Sequence, residues 1–314
     1  MDGKESAKDS DGFKEADAKG YSSGSASGHA SIAESKSSYD AKGIDGNSQF
    51  TKTEVEELVA LCDKMVSSFF EYAESPFSGN NVDGHPWVLA AKRPELGNLQ
   101  IYSSKTLVSK IHRWQSVCVL PYPMNEVFAC INNPKERVSW DRGITEYDNI
   151  PVAGNVVVQR YASDGAGPVS PRDTKTVGGM KTLPDGRIVI GGGHVGDEDF
   201  GCFLPKPGVI RMQTFASGWV LESVNGGSAT KVVHGVHIDL KGWFIPIVQQ
   251  KVMGNTFHTF YEDLLNKLAG KDKEKKTERD EKMAEFAADI SALMKEGGGG
   301  DGAMDDDRIR ASRK

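Results

Sequence analysis

No stretch of about eighteen apolar residues occurs in the 314-residue chain, so the sequence offers no membrane-spanning helix. The N-terminus lacks the apolar core of a secretory signal, and residue 2 is Asp, not the Gly that myristoylation needs. Cysteine is scarce. Cys62, Cys118, Cys130 and Cys202 stand far apart and none belongs to a CxxC pair, which speaks against a zinc knuckle or a disulfide framework. They read as small buried hydrophobes of a reducing compartment, and cytoplasmic residence is the expectation. A basic excess is missing as well: 38 Lys and Arg face 44 Asp and Glu, a formal charge of −6. With no basic stripe, a charge-driven grip on nucleic acid is excluded. No nucleophile elbow, Walker loop or dinucleotide fingerprint is found. The triplet Gly191-Gly192-Gly193 lies inside strand-like sequence, where it suits a bend or bulge of a sheet and not a phosphate.

What is present falls into three regions. Residues 1–50 hold six Lys against nine Asp or Glu, with Ser and Gly throughout and few large aliphatic residues. Such a segment cannot bury enough apolar surface to offset its ordering entropy, and a disordered acidic N-terminal segment is expected. Residues 271–314 carry 11 basic and 12 acidic side chains and the run Gly297 to Gly300. They read as a charged tail, partly helical and mostly disordered. Residues 51–270 form the one core-sized domain, with 21 basic and 23 acidic residues.

Within that domain, Thr53 and Glu56 have capping-box spacing ahead of Val55, Leu58, Cys62, Met65, Val66 and Phe69, which predicts an amphipathic helix of about five turns. Strand-like runs follow at 87–91, 99–103 and 110–120. A short helix is expected at 123–131 and a short turn or helix at 134–140. From Ile144 to Leu240 the chain is almost continuously strand-like, with segments at 144–150, 155–162, 173–177, 187–194, 208–215, 218–224 and 230–239 punctuated by Gly, Pro, Asp and Asn. Pro246 then opens a helix to about residue 269, about 36 Å long. The fold class is α+β with a large antiparallel sheet. His234 and His237, three apart on a strand, point to opposite faces and are unsuited to sharing a metal.

Five strings sharpen this pattern: Trp140-Asp141, Ser170-Pro171-Arg172-Asp173, Gly208-Val209-Ile210-Arg211, Ser217-Gly218-Trp219, and Asp239-Leu240-Lys241-Gly242-Trp243. In this order they closely resemble a START (steroidogenic acute regulatory protein-related lipid transfer) domain over about residues 55–269, with the last two strings most like the sterol-transfer branch. The resemblance implies a helix-grip fold, a curved antiparallel sheet around a lipid tunnel closed by the long C-terminal helix. It also implies a non-enzymatic protein that binds one lipid, a sterol first or a phospholipid second, and carries it between membranes. No cofactor beyond that lipid is implied, and membrane contact would be transient and peripheral.

The resemblance also directs attention to single residues. The family often pairs a tunnel acid with an Arg, and counting without gaps puts Gln159 at the acid's place and Gly178 at the Arg's; a one-residue shift brings in Arg160 or Lys181 instead. Gln159 is thus either a polar tunnel contact or an ordinary strand glutamine, with Tyr161 on the same face. Phe257, Phe260, Leu264 and Leu268 form the helix stripe expected to face the lipid. The loop from Asp197 to Pro207 carries Phe200, Phe203 and Leu204, read either as a membrane-touching gate or as residues tucked beneath the last helix. Trp140, Asp141, Arg172, Asp173, Arg211, Asp239, Gly242 and Trp243 are read as structural marks of the family. Two other functions stand beside lipid transfer: a lipid-responsive adaptor or sensor working through the tails, and an enzyme using such a cavity for cyclisation or hydrolysis.

Overall fold

The computed structural model describes residues 49–75, 77–107, 111–165, 170–242 and 246–271, together with 285, 288 and 292. The chain divides into two units, Met1–Tyr39 and Asp40–Lys314, and every described residue belongs to the second. The two terminal segments expected to be disordered therefore fall almost wholly outside the described residues, as does Trp243.

Helix α1 (Lys52–Ala73) starts two residues earlier than the Thr53–Glu56 spacing suggests. Thr51 is the cap. Its hydroxyl accepts from the Glu54 N–H at 3.3 Å, and the Glu54 carboxylate accepts from the Thr51 N–H at 2.7 Å. Both pairs have capping-box spacing. The earlier one is used because Phe50, just before it, is buried edge-on against Phe200 and fixes where the chain enters the helix.

Next come β1 (Val88–Arg93), β2 (Leu99–Ser104), β3 (Arg113–Leu120), α2 (Met124–Asn132) and α3 (Pro134–Trp140). They are followed by β4 (Glu146–Ala153), β5 (Val156–Ser163), β6 (Arg172–Thr182), β7 (Ile188–His194), β8 (Ile210–Arg211), β9 (Gln213–Val224), β10 (Ala229–Asp239) and α4 (Pro246–Leu268). The described strands make one sheet in the order β1-β2-β3-β10-β9-β7-β6-β5-β4, with the short β8 parallel to β6 and all other pairings antiparallel. Placing β10 between β3 and β9 joins the early meander to the later one in a single curved wall.

The sequence reading separates 208–215 from 218–224, yet Gln213–Val224 is the single strand β9 with Gly218 inside it. Gly218 and two members of the Gly191–Gly193 triplet face α1. A Cβ at Gly218 would stand 2.1 Å from the Ile190 carbonyl oxygen and 3.0 Å from the Phe69 ring, and one at Gly191 would stand 3.2 Å from Phe69. Gly193 would meet Met65 at 2.5 Å and Gly235 would meet Tyr72 at 2.7 Å. These positions are bare so that α1 can lie directly on the strands. Trp219, next to Gly218, points to the other face, where it lies 6.3 Å from Phe260 of α4. Helices α1 and α4 therefore cover opposite faces, termed outer and inner below. The inner core joins Leu99, Leu120, Leu221, Phe257, Tyr261 and Leu264 in one apolar cluster.

A methyl group at Gly218 has no flexible side chain to push aside, because its nearest neighbour is backbone. Gly218→Ala is expected to lower stability by about 1–3 kcal/mol, read as a fall in the urea midpoint. An unchanged midpoint would show that β7 and α1 stand farther from β9 than described.

Candidate functional site

Burial differs sharply between the two faces. On β5, Val156, Val158, Arg160 and Ala162 point outward and are buried, whereas Val157, Gln159, Tyr161 and Ser163 point inward and are only half-buried. On β7 the outward Val189, Gly191 and Gly193 are buried, while the inward Ile188 and Ile190 are half-buried. Along these two strands α1 closes the outer face and the inward side chains are covered only in part, whereas on β3 and β10 the inward Trp114, Ser116, Cys118, Val232 and His234 are buried beneath α4.

At the centre of that space stands a group of rings. The His234 imidazole stacks on Trp219 at 4.8 Å and lies 4.9 Å from Phe257 and 5.2 Å from Phe260. Trp140 approaches Phe260 at 5.8 Å. Arg137 of α3 projects among them, its guanidinium 4.9 Å from the Trp219 centroid, 5.1 Å from Phe260 and 5.9 Å from Trp140. Its Nε donates to Asp141 Oδ2 at 3.0 Å, and Asp141 Oδ1 accepts the Gly143 N–H at 2.9 Å. An Arg nine-tenths buried, stacked on three rings and bonded to one carboxylate oxygen, is the strongest positive group of the inner face. Trp140 and Asp141, read from the sequence as structural, thus also position this cation. Sequence reasoning missed Arg137 itself. Its signal was the four-residue spacing to Asp141, which places both on one side of α3.

Burial holds the His234 imidazole well below its ordinary pKa, and the Arg137 charge pushes the same way. His237 points outward instead, stacks on Phe215 at 4.6 Å and is held down to about 4, by burial first and then by Arg113. The two histidines occupy opposite faces, as the strand spacing requires.

The Gln159 and Gly178 positions do meet on the inner face. A Cβ at Gly178 would lie 3.0 Å from Gln159 Nε2, so the glutamine amide occupies the space that a longer side chain at 178 would enter. The Tyr147 hydroxyl donates to Gln159 Oε1 at 2.8 Å, and Tyr147 meets Tyr161 edge-on at 6.2 Å. The shifted alternatives lie on the outer face: Arg160 bonds Asp173 at 2.9 Å, and Lys181 pairs with Asp63 of α1 at 2.9 Å.

Phe257, Phe260 and Leu264 are buried in the inner cluster and Leu268 packs against its edge. Tyr261, which sequence reasoning did not single out, shares a 3.1 Å hydrogen bond with Ser116 on β3. The C-terminal half of α4 is clasped by Arg142, whose Nε donates to both Asp263 oxygens at 2.9 Å and whose Nη2 reaches Glu262 at 2.6 Å. Arg172 and Asp173 diverge as neighbours on a strand do. Arg172 donates to the Leu240 carbonyl at 3.1 Å, while Asp173 receives Arg160 and Arg211 on the outer face. Asp239 accepts the Lys241 N–H at 2.9 Å in a turn where Lys241 and Gly242 both have positive φ, 51° and 74°.

The apolar residues of the 197–207 loop do not form one tip. Phe200 packs against Phe50, Phe203 is half-buried with its carbonyl bonded to Arg211 at 2.8 Å, and Leu204 is 53% exposed. The buried Lys175 ties the loop's start by donating to the carbonyls of Gly196, Asp197 and Asp199. None of the three lies in the cluster beneath α4. Among the described residues no helix is long and apolar enough to cross a membrane.

Comparison with known proteins places this architecture. The START domain family model matches residues 68–273. The fold is similar to that of human StAR-related lipid transfer protein 5, with a TM-score of 0.58 and 20% identity over 70% of this chain and 99% of that one. It is also similar to human STARD10, with a TM-score of 0.54 and 16% identity over 68% of this chain and 83% of that one. No curated protein sequence matches the chain.

The buried histidines generate a pH prediction. A group whose folded-state pKa lies below its unfolded value near 6.5 makes stability fall as pH drops below that value, because the unfolded chain takes up the proton. Each such group contributes a slope of up to about 1.4 kcal/mol per pH unit. Between pH 6.5 and 5, His234→Gln is expected to remove one group's share of this slope in denaturant titrations. An unchanged slope would mean that His234 binds its proton in the folded state.

Proposed function

This chain belongs to the START domain family, and on that premise we propose that it binds one lipid between the inner wall and α4 and carries it between membranes, without catalysing a reaction. The observation that carries the proposal is that, along β5, β7 and β9, the inward Val157, Ile188, Ile190 and Trp219 stay half-covered while outward neighbours such as Val156, Val158, Val189 and Val220 are buried, with Ile188, Ile190 and Trp219 packed against the cluster that holds the apolar stripe of α4. Burying a methylene gains about 0.8 kcal/mol, so a sixteen-carbon chain gains roughly 13 kcal/mol by leaving water. A carrier that keeps the chain covered in transit removes that barrier. Human StAR-related lipid transfer protein 5, of similar fold, is named for lipid transfer, which agrees with this reading.

The polar end of the ligand has two candidate partners. Gln159 and Tyr161 suit a hydroxyl or an ester, the arrangement a sterol would use. Arg137 favours the second reading, a phospholipid, because its stacked guanidinium offers donors to an anionic oxygen in surroundings of low dielectric. Catalysis is disfavoured by the chemistry around His234: its near neighbours are rings and a cation, and the nearby Asp141 carboxylate is occupied by Arg137 and Gly143. In this account Leu204 is the part of the 197–207 loop that touches a membrane, with Phe200 and Phe203 as its anchors.

Native mass spectrometry of the full chain after incubation with mixed liposomes tests the reading. Wild type should carry one lipid per chain, and Phe260→Asp, which sets a charge in the inner cluster, should carry none. Arg137→Gln removes the charge while keeping a polar donor, and it should lower phospholipid loading at least tenfold while leaving sterol loading unchanged. A folded wild-type chain that stays empty of both lipids would overturn the proposal.

A further inference from the structure

Among the described residues, Val82, Val88, Leu89, Leu107, Val119 and Leu204 are the exposed large apolar side chains, and four of the six lie at one corner of the sheet. Leu107 is 73% exposed, Val88 59% and Val82 54%. The corner is rigidly built. Asn81 Nδ2 donates to Ser104 Oγ at 3.0 Å and to the Lys105 carbonyl at 2.7 Å, and Ser104 Oγ donates to the carbonyls of His85 and Pro86. Val88 pairs with Ser103 and Leu89 with Tyr102. These bonds hold the segment before β1 against the β2–β3 connection and turn the apolar side chains outward.

Its charge identifies the occupant. The described residues of the corner, 81–89, 103–107 and 111–113, contain one acid, Asp83, against Lys105 and Arg113, in a chain whose net charge is −6. Asp83 is paired with Arg113 at 3.3 Å, while Lys105 is exposed beside Leu107. Exposed aliphatic tips flanked by lysine suit the interface of an anionic bilayer, where the tips enter the acyl boundary and the ammonium stays at the headgroups. The corner also lies on the rim of the sheet where β10 ends before α4 and where β5 hands over to β6, since the antiparallel register puts Arg113, Asp239, Ser163 and Arg172 at the same strand ends.

We infer that this corner, formed by Val82, Val88, Leu89, Lys105 and Leu107, docks the protein on an anionic lipid surface, so that the α4 end of the inner wall faces the membrane. The inference rests on the lipid-carrier reading and adds the surface through which the carrier meets its membrane.

Co-sedimentation of the full chain with phosphatidylcholine vesicles, with and without phosphatidylserine, tests it, with lipid loading followed separately by native mass spectrometry. Wild type should prefer the phosphatidylserine vesicles and lose binding as salt rises. Leu107→Asp should weaken binding tenfold or more and Lys105→Glu about tenfold, whereas Val119→Asp, an exposed change elsewhere on the sheet, should leave it unchanged. Leu107→Asp should still load lipid, which shows that it is folded. Wild-type binding by a Leu107→Asp chain overturns the corner as docking surface. Capture of the wild type by neither vesicle overturns it too and points to a protein as the occupant. A chain that binds vesicles through the corner yet never loads lipid supports the docking surface and sinks the carrier reading alone.

Discussion

The close seating of α1 on a glycine-bare outer face is the constraint from which the rest of the molecule follows. Gly191, Gly193, Gly218 and Gly235 let Phe69, Tyr72 and Met65 approach the strands, so that α1 lies directly on β7, β9 and β10. Large side chains beside those glycines point the other way. Trp219, Ile190 and His234 alternate with those glycines, so the pleat that clears space for one helix also arms the wall beneath the other. Gly192, on the inner side, is bare for a different neighbour, since a Cβ there would meet the Val177 carbonyl at 2.6 Å.

Polar groups are handled differently on the two faces. On the outer face the charges close on one another: Asp173 receives Arg160 and Arg211, and Lys175 is spent on three loop carbonyls. These contacts hold the loop after β7 to the sheet. On the inner face Arg137 gives one bond to Asp141 and presents the rest of its guanidinium to rings. Arg142 marks the boundary between these roles, because its clasp on Asp263 and Glu262 fixes the C-terminal half of α4 to the turn after α3. In the first half of the same helix, Met253 is buried in the inner cluster and Val252 packs against it.

Much of the architecture was legible in the sequence because periodicity reports burial directly. The switch from period two to helical spacing at Pro246, and the stripe of Phe257, Phe260 and Leu264, needed no tertiary knowledge. Opposite directions for Arg172 and Asp173, and for His234 and His237, followed from strand geometry alone. Glycine was where local reading failed: the same residue type that ends strands also permits close helix approach, and only the partner, Phe69 or Tyr72, tells the two apart. The capping box was displaced for a similar reason, since Thr51 and Thr53 are locally equivalent and the distant Phe200 favours one. Arg137 was hidden because its role depends on Trp140, Trp219 and Phe260, rings from α3, β9 and α4 that lie far apart in the sequence. The 197–207 loop showed three apolar residues in a row of turns, and nothing local could say that Phe50 would take one of them.

The central claim is that the inner wall, and not the outer face, meets the lipid chain. Photocrosslinking of the full chain with a lipid carrying a diazirine on its acyl chain, followed by peptide mapping, tests this most directly. The account predicts adducts on β5, β7 and β9 inward positions such as Val157, Ile190 and Trp219 and on the Phe257–Leu264 stripe of α4. Adducts concentrated on α1 or on the outward residues of the same strands would contradict it.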